Sequence, residues 1–170
     1  CETLEYLNID LYPSTDLISL ALMKKFKTLS LAARKLETLS GIEALDSLKV
    51  LDLYNCPRLV SLSGIEDLVS IRSIEIATCR RIRDLKPLTR LIGLQSLSVE
   101  DCGKIDSLNP IRFCKSLESI YLIGDTNIVD GKMETLLTLP KLKTVSLANR
   151  RHYMPKASEV EDLVSTENQH

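Results

Sequence analysis

The chain has no tryptophan, only two phenylalanines and five tyrosines, so aromatics make up 4% of its 170 residues. Its core must therefore be built mainly from leucine, isoleucine and valine, and it offers no bulky platform on which bases would stack. Histidine is almost as scarce: His152 and His170 both lie near the C-terminus. Most histidine-based catalytic constellations and metal sites are thereby excluded from the body of the chain. There is no GxGxxG, GxxxxGK[ST], HExxH or GxSxG motif, so the expectation is a non-enzyme without cofactor or metal. No run of about 18 apolar residues is present to span a bilayer, and the N-terminus lacks the zones of a secretory signal. With a formal net charge of -1, nothing draws the whole molecule toward nucleic acid or an anionic membrane.

What is present is ordinary globular composition, 44% hydrophobic and 26% charged, in a length suited to one domain. The five cysteines are odd in number and contain no CxxC pair, which suits free thiols in a reducing cytoplasm better than a disulfide framework. The chain opens at Cys1 and not at methionine, which leaves open whether residues precede it.

The dominant signal is a repeat. Frames of the form Leu-x-x-Leu-x-Leu read LEYLNI from Leu4, FKTLSL from Phe26, LKVLDL from Leu48, IRSIEI from Ile71, LQSLSV from Leu94, LESIYL from Leu117 and LKTVSL from Leu142, at spacings of 22, 22, 23, 23, 23 and 25 residues. Within each frame the fourth and sixth places are apolar and the third and fifth mostly polar, the period of a short strand buried on one side. Further apolar anchors follow at Leu59, Ile82, Ile105 and Ile128. Ser-Gly, Lys-Pro and Asn-Pro pairs then suit a turn leading into a short helix or a single helical turn. One such unit cannot bury its apolar side alone, but stacked units enclose a continuous ladder.

This pattern, as in IRDLKPLTRLIGLQSLSVEDCGKI, resembles leucine-rich repeats of the short 22-residue class found in internalins and in the type 1 phosphatase regulator. The resemblance covers roughly residues 3 to 148 and implies an α/β solenoid. The horseshoe would have about seven repeats, with parallel strands on the concave face and short helices and turns on the convex one. Residues 1–148 are expected to form this domain and residues 149–170 a C-terminal cap and polar tail.

Cys56, Cys79 and Cys102 sit 23 residues apart, each at the ninth place of its frame. The resemblance implies an inward ladder position there, whose polar group ties down the turn leaving the strand. Other frames place Tyr12, Arg34, Asp125 and Arg150 in that column. Neighbouring strands lie about 5 Å apart, so three sulfurs would form a line and not the tetrahedron a metal needs. Cys114, in IRFCKSL, is expected to be a packed free thiol.

The third, fifth and seventh places point away from the core and line the concave face. Small residues dominate there, but Asp52 and Glu75 fall side by side, with Glu100 and Asp101 one repeat on, and Tyr54 and Tyr121 offer contact area at small entropy cost. Asn8 and Ser98 complete the candidate partner-binding set. An acidic strip of this kind suits a basic protein partner, and equally a solvated sheet face. The turns beyond the strands carry a basic rim of Arg34, Lys35, Arg58, Arg80, Arg81, Arg83 and Lys104.

The last repeat inserts two residues, and METLLTL reads as a more regular helix after Asp130-Gly131. NRRHYMP is expected to cap the solenoid, and it resembles the ends of bacterial cytoplasmic leucine-rich-repeat proteins counted among immunity or partner-binding proteins. A weak apolar stripe of Val160, Leu163 and Val164 predicts a short helix docked on that end. The function expected is a protein-protein interaction module, in its narrower form an immunity-like protein that neutralises a toxin. The alternative is a structural spacer or shield within a longer protein.

Overall fold

The computed structural model describes residues 5–23 and 25–167. Leu4, which starts the first frame, lies outside the described residues, as do Cys1 and His170.

Each frame delivers one strand because its alternating apolar residues have a face to bury only when neighbours stack on it. The strands are β1 (Tyr6–Asp10), β2 (Thr28–Ala32), β3 (Val50–Tyr54), β4 (Ser73–Ala77), β5 (Ser96–Glu100), β6 (Lys104–Ile105), β7 (Ser119–Ile123), β8 (Asn127–Ile128) and β9 (Thr144–Leu147). Seven of them form one parallel sheet in the order β1-β2-β3-β4-β5-β7-β9, while β6 and β8 pair separately. The register never slips. Leu29, Leu51, Ile74, Leu97, Ile120 and Val145 follow one another across the sheet, as do Leu31, Leu53, Ile76, Val99, Leu122 and Leu147. These two rows are the inner wall of a core that continues into the anchors Leu59, Ile82, Ile105 and Ile128, all buried. The repeated chain thus folds as an α/β solenoid whose apolar side is shared between coils.

Among the described residues the convex side carries no α-helix in the repeats. Short 3-10 turns stand there instead: Ile18–Leu20, Ile42–Ala44, Lys86–Arg90, Asn109–Phe113 and Glu134–Thr138. The more regular helix expected from METLLTL is one of them, a five-residue 3-10 turn no longer than the two before it. A coil of 22 or 23 residues leaves too few convex residues to repay nucleation of an α-helix. A polar column prepares each of these bends. Asp16, Thr38, Ser61, Asp84, Ser107 and Asp130 each accept, through a side-chain oxygen, the backbone N–H two residues on. The spacing of this column, 22 then 23 throughout, was open to reading in the sequence, but short polar residues in loops are common and give no warning of their order.

A second column is conformational. Leu11, Asn55, Thr78, Asp101 and Gly124, each at the eighth place of its frame, have φ between 48° and 65°. This left-handed residue turns the chain out of the strand. Ala33 at the equivalent place of the second coil is not left-handed; that coil, like the first, runs 22 residues.

The C-terminal end is sealed. The Tyr153 side chain is buried and its hydroxyl accepts the Ile128 N–H at 2.9 Å, while Met154 exchanges backbone hydrogen bonds with Gly131 and Met133. Helix α1 (Ala157–Glu167) packs on β9 through Ala157, Val160 and Val164, and Glu161 accepts the Leu147 N–H at the sheet edge. Leu163, expected on the docked stripe, is instead 47% exposed. Positions 157, 160 and 164 follow the three-four spacing of one helical face, and 163 falls off it. At the other end β1 is the sheet edge, with Leu7 and Ile9 only half-buried.

Gly41 has φ of 101°, and a Cβ there would come within 2.6 Å of the Ile18 backbone nitrogen. Gly103 is also left-handed, at 71°, but a Cβ meets nothing within 4 Å. Gly41→Ala is therefore expected to cost roughly 3 kcal/mol in urea denaturation and Gly103→Ala only roughly 1 kcal/mol.

Candidate functional site

The concave floor is built by the odd places of the seven frames. Its central row runs Asn8, Ser30, Asp52, Glu75, Ser98, Tyr121 and Ser146 in direct register from β1 to β9. At about 4.8 Å per strand this row crosses close to 29 Å. The flanking rows hold Tyr6, Thr28, Val50, Ser73, Ser96, Ser119 and Thr144 on one side, and Asp10, Ala32, Tyr54, Ala77, Glu100, Ile123 and Ala148 on the other. Small side chains therefore leave the floor open. The charged groups in these three rows are all carboxylates: Asp10, Asp52, Glu75 and Glu100.

Asp52 and Glu75 pair across β3 and β4. Partial burial and the Glu75 carboxylate beside it push the Asp52 carboxyl up from 3.8 to about 6. Parallel strands force this juxtaposition, because the backbone register that aligns the leucines aligns the residues between them as well. Tyr54 belongs to the same cluster. Its hydroxyl is pushed up to about 12 by burial and by the neighbouring Asp52 and Glu75 carboxylates. Tyr6, two strands away, is close enough to add to that shift. It is 56% exposed and was not among the residues singled out from the sequence, since its third-place position carried no charge or neighbour to mark it.

The other candidates are placed as follows. Ser98 is the register partner of Glu75, and Tyr121 that of Ser98, both half-buried. Glu100 lies one row over, between Ala77 and Ile123. Asn8 sits at the exposed β1 end, two strands from Asp52. Asp101 does not belong to this face. It occupies the left-handed place after β5, and its Oδ1 accepts the Asp125 N–H at 2.9 Å. The strand ends at Glu100, and the eighth place that Asp101 holds falls outside the odd places that line the floor.

Cys56, Cys79 and Cys102 are fully buried at the strand exits. Each Sγ lies 3.2–3.4 Å from the carbonyl oxygen two residues back. Cys79 and Cys102 also reach the preceding coil, at Leu53 and Ile76 respectively. The column continues with residues that the ninth-place count missed. Thr126, and not Asp125, takes the inward position in the sixth coil: its hydroxyl donates to the Val99 carbonyl at 3.0 Å and accepts the Cys102 N–H at 3.2 Å. In the shorter second coil Ala33 is the buried residue and Arg34 is exposed. Tyr12 is buried with its hydroxyl against Ser19, and Arg150 donates to the carbonyls of Gly124 and Thr126. Cys79 is raised by its hydrogen bond to Cys56 and by burial, and burial lifts Cys102 and Cys114 to about 11. These three thiols stay protonated at neutral pH and are poor nucleophiles. Cys114 is buried behind the fourth 3-10 turn with Sγ 3.4 Å from the Leu88 carbonyl oxygen. Among the described residues no group of three His, Cys, Asp or Glu side chains converges to hold a metal ion.

The basic rim is partly neutralised. Arg58 pairs with Glu37, Arg80 with Asp125 and Arg83 with Asp106. These exposed pairs each contribute about 0–1 kcal/mol.

Because the native state holds the Asp52 proton more tightly than the unfolded chain, this carboxyl favours folding below pH 3.8 and opposes it increasingly as pH rises through about 6. Asp52→Asn should accordingly raise stability by about 1 kcal/mol at neutral pH after allowance for solvent screening, with the gain gone by about pH 4, in urea titrations at both pH values. Thr126→Val leaves the Cys102 N–H and the Val99 carbonyl without their partner. It should lower stability by about 1–3 kcal/mol in the same assay, while Thr126→Ser stays near wild type.

No family model matches the chain, and no curated protein sequence matches it. Among solved structures it is similar to the leucine-rich repeat domain of the type III effector XopL, with a TM-score of 0.70, 22% identity, and 84% of this chain aligned to 51% of that one. It is also similar to the functional domain of InlJ from Listeria monocytogenes, described as including a cysteine ladder, with a TM-score of 0.61 and 18% identity over 76% of this chain and 27% of that one. Internalin C2 from Listeria monocytogenes gives a TM-score of 0.53 and 24% identity over 79% and 66% of the two chains. The chain thus spans about half the length of the XopL structure. In fold, the chain is a leucine-rich-repeat solenoid of the internalin-like kind.

Proposed function

We propose that the chain is a non-enzymatic protein-binding module whose partner lies in the concave face, against Asp52, Tyr54, Glu75, Glu100 and Tyr121. The observation that carries this reading is the floor itself: an open sheet surface of small residues, interrupted by three tyrosines and four carboxylates with no base among them. Natural sheets usually set opposite charges across from one another, and like charges held side by side oppose folding. The upward shift of Asp52, from burial first and Glu75 second, is in keeping with such a penalty. A basic partner offsets it, and tyrosine supplies contact area at low entropic cost. The solenoid fold supports the reading in general terms, since stacked coils present extended concave surfaces suited to proteins.

The narrower form is an immunity-like protein that neutralises a basic toxin by covering it, in a reducing cytoplasm that suits the free buried thiols. Asp101 and the cysteines have no part in binding; they hold the turns. A second reading, a spacer or shield within a longer protein, draws support from the open β1 edge, where Leu7 and Ile9 are half-buried.

Affinity capture from the source organism's extract separates these readings. The wild-type chain should retain a protein that Asp52→Lys, Glu75→Lys loses, while Asp46→Lys, on an exposed convex loop, retains it. Identical captured sets for wild type and the concave double variant would sink the concave-face assignment.

A further inference from the structure

The two ends of the solenoid are finished differently. At the C-terminal end α1 lies on β9, and Glu161 accepts the Leu147 N–H at the sheet edge. At the other end no described residue pairs with the outer side of β1. Apolar residues whose counterparts are sealed in later coils stand partly open there. Leu7 and Ile9 are half-buried. The Met23 N–H closes its convex turn onto Leu20 as Leu45 does onto Ile42, Leu68 onto Ile65 and Leu91 onto Leu88. Met23 is nevertheless 44% exposed, whereas those three leucines are 0–1% exposed. Natural sheets guard such an edge with lysine, proline or a bulge. β1 reads YLNID, pairs with β2 through every residue without a bulge, and carries neither lysine nor proline.

The ladder shows which backbone groups are left over. The Thr28 N–H donates to Glu5 and the Ala32 carbonyl accepts from Tyr12, so the odd places of β2 turn their N–H and C=O groups toward the preceding coil. In β1 those places are Tyr6, Asn8 and Asp10, and their backbone groups face outward, where no described strand lies.

We infer that β1 is a dimerisation edge, which pairs antiparallel with β1 of a second copy about a two-fold axis at Asn8. Because α1 covers β9, two copies cannot stack head to tail, and the free edge that a second copy offers from the main sheet is its own β1. With the axis at Asn8, Tyr6 of each copy stands opposite Asp10 of the other, and Asn8 opposite Asn8. These are the outward-facing places, so the three N–H groups of each copy meet the three carbonyls of the other. No other two-fold register matches all of them. Leu7 of each copy falls opposite Ile9 of the other, in the kind of pair whose side chains approach more closely. The rows of Leu29 and Leu31 are thereby continued past β1, and the seam prolongs the interface that already joins each coil to the next. Charge agrees with this direction. The two Asp10 carboxylates lie at opposite ends of the pair, roughly 14 Å apart along the strands, whereas parallel pairing would set them side by side. A two-fold contact closes on itself, so assembly stops at the dimer. The concave floor stays open in it, and this pairing and the partner-binding reading stand or fall separately.

Sedimentation equilibrium on the full chain, from about 1 µM to about 1 mM, should show a reversible monomer–dimer equilibrium with no larger species. Amide hydrogen exchange followed by NMR should protect Tyr6, Asn8 and Asp10 at high concentration and release them on dilution. Leu7 and Ile9, bonded to β2, should stay protected throughout. Asn8→Pro removes an outward N–H without touching a bond to β2, and should weaken dimerisation roughly tenfold or more. Met23→Glu should weaken it to a similar extent by placing a charge in the seam, and at a site already 44% exposed it keeps the test open if the proline disturbs β1. A monomer at every concentration, oligomers growing beyond the dimer, protection that does not alternate along β1, or a dimer indifferent to both variants would each overturn the pairing.

Discussion

Everything in this molecule depends on coils stacking in unbroken parallel register. A coil of 22 or 23 residues exposes its own leucines, and only a neighbour placed with Leu51 beside Ile74 and Leu53 beside Ile76 removes them from water. That requirement is local and repeated, so a single misplaced residue must be absorbed within its own coil. Two coils show how. The second lacks a left-handed residue at Ala33 and buries Ala33 in place of the next residue, and the sixth inserts Asp125 and buries Thr126 instead. In both, the strand register survives and the turn takes up the difference.

The buried column of Cys56, Cys79, Cys102 and Thr126 serves that register. Carbonyls at the strand exits of Leu53, Ile76 and Val99 are each met by the column residue of the following coil. A thiol does this weakly and a hydroxyl more strongly, and both are small enough to stay inside a core of leucine and isoleucine. Burial raises the Cys102 thiol, Cys79 is raised by its hydrogen bond to Cys56 and by burial, and that same bond lowers Cys56; sulfurs in a line do not make the tetrahedron of a metal cage.

The same register creates the acidic floor. Placing leucines in line places the intervening residues in line too, so Asp52 cannot avoid Glu75. Two carboxylates held side by side are a local cost to folding at a place open to solvent. The sheet elsewhere shows no such conflict: Ser96 and Ser119 satisfy one another, and the exposed ion pairs Lys27–Glu5 and Lys143–Glu118 join residues just before the strands.

Much of this was legible in the residues themselves. Seven frames with period-two alternation determine seven strands, their parallel order and the neighbours of Asp52, because a period in sequence becomes a translation in space when units stack. The terminal stripe was legible as a helix but not in detail, since the docking face passes through Ala157, Val160 and Val164 and leaves Leu163 in solvent. What the sequence could not decide was set by backbone dihedrals and by contacts between coils. A ninth-place count cannot tell that Ala33 and Thr126 turn inward, because one residue's φ shifts all that follow it. Alternation does exclude the eighth-place Asp101 from the odd-place floor, but the left-handed turn that it makes there is a matter of backbone dihedrals. Periodicity determines where a residue stands along the solenoid; turn geometry and neighbouring coils decide what its side chain meets there.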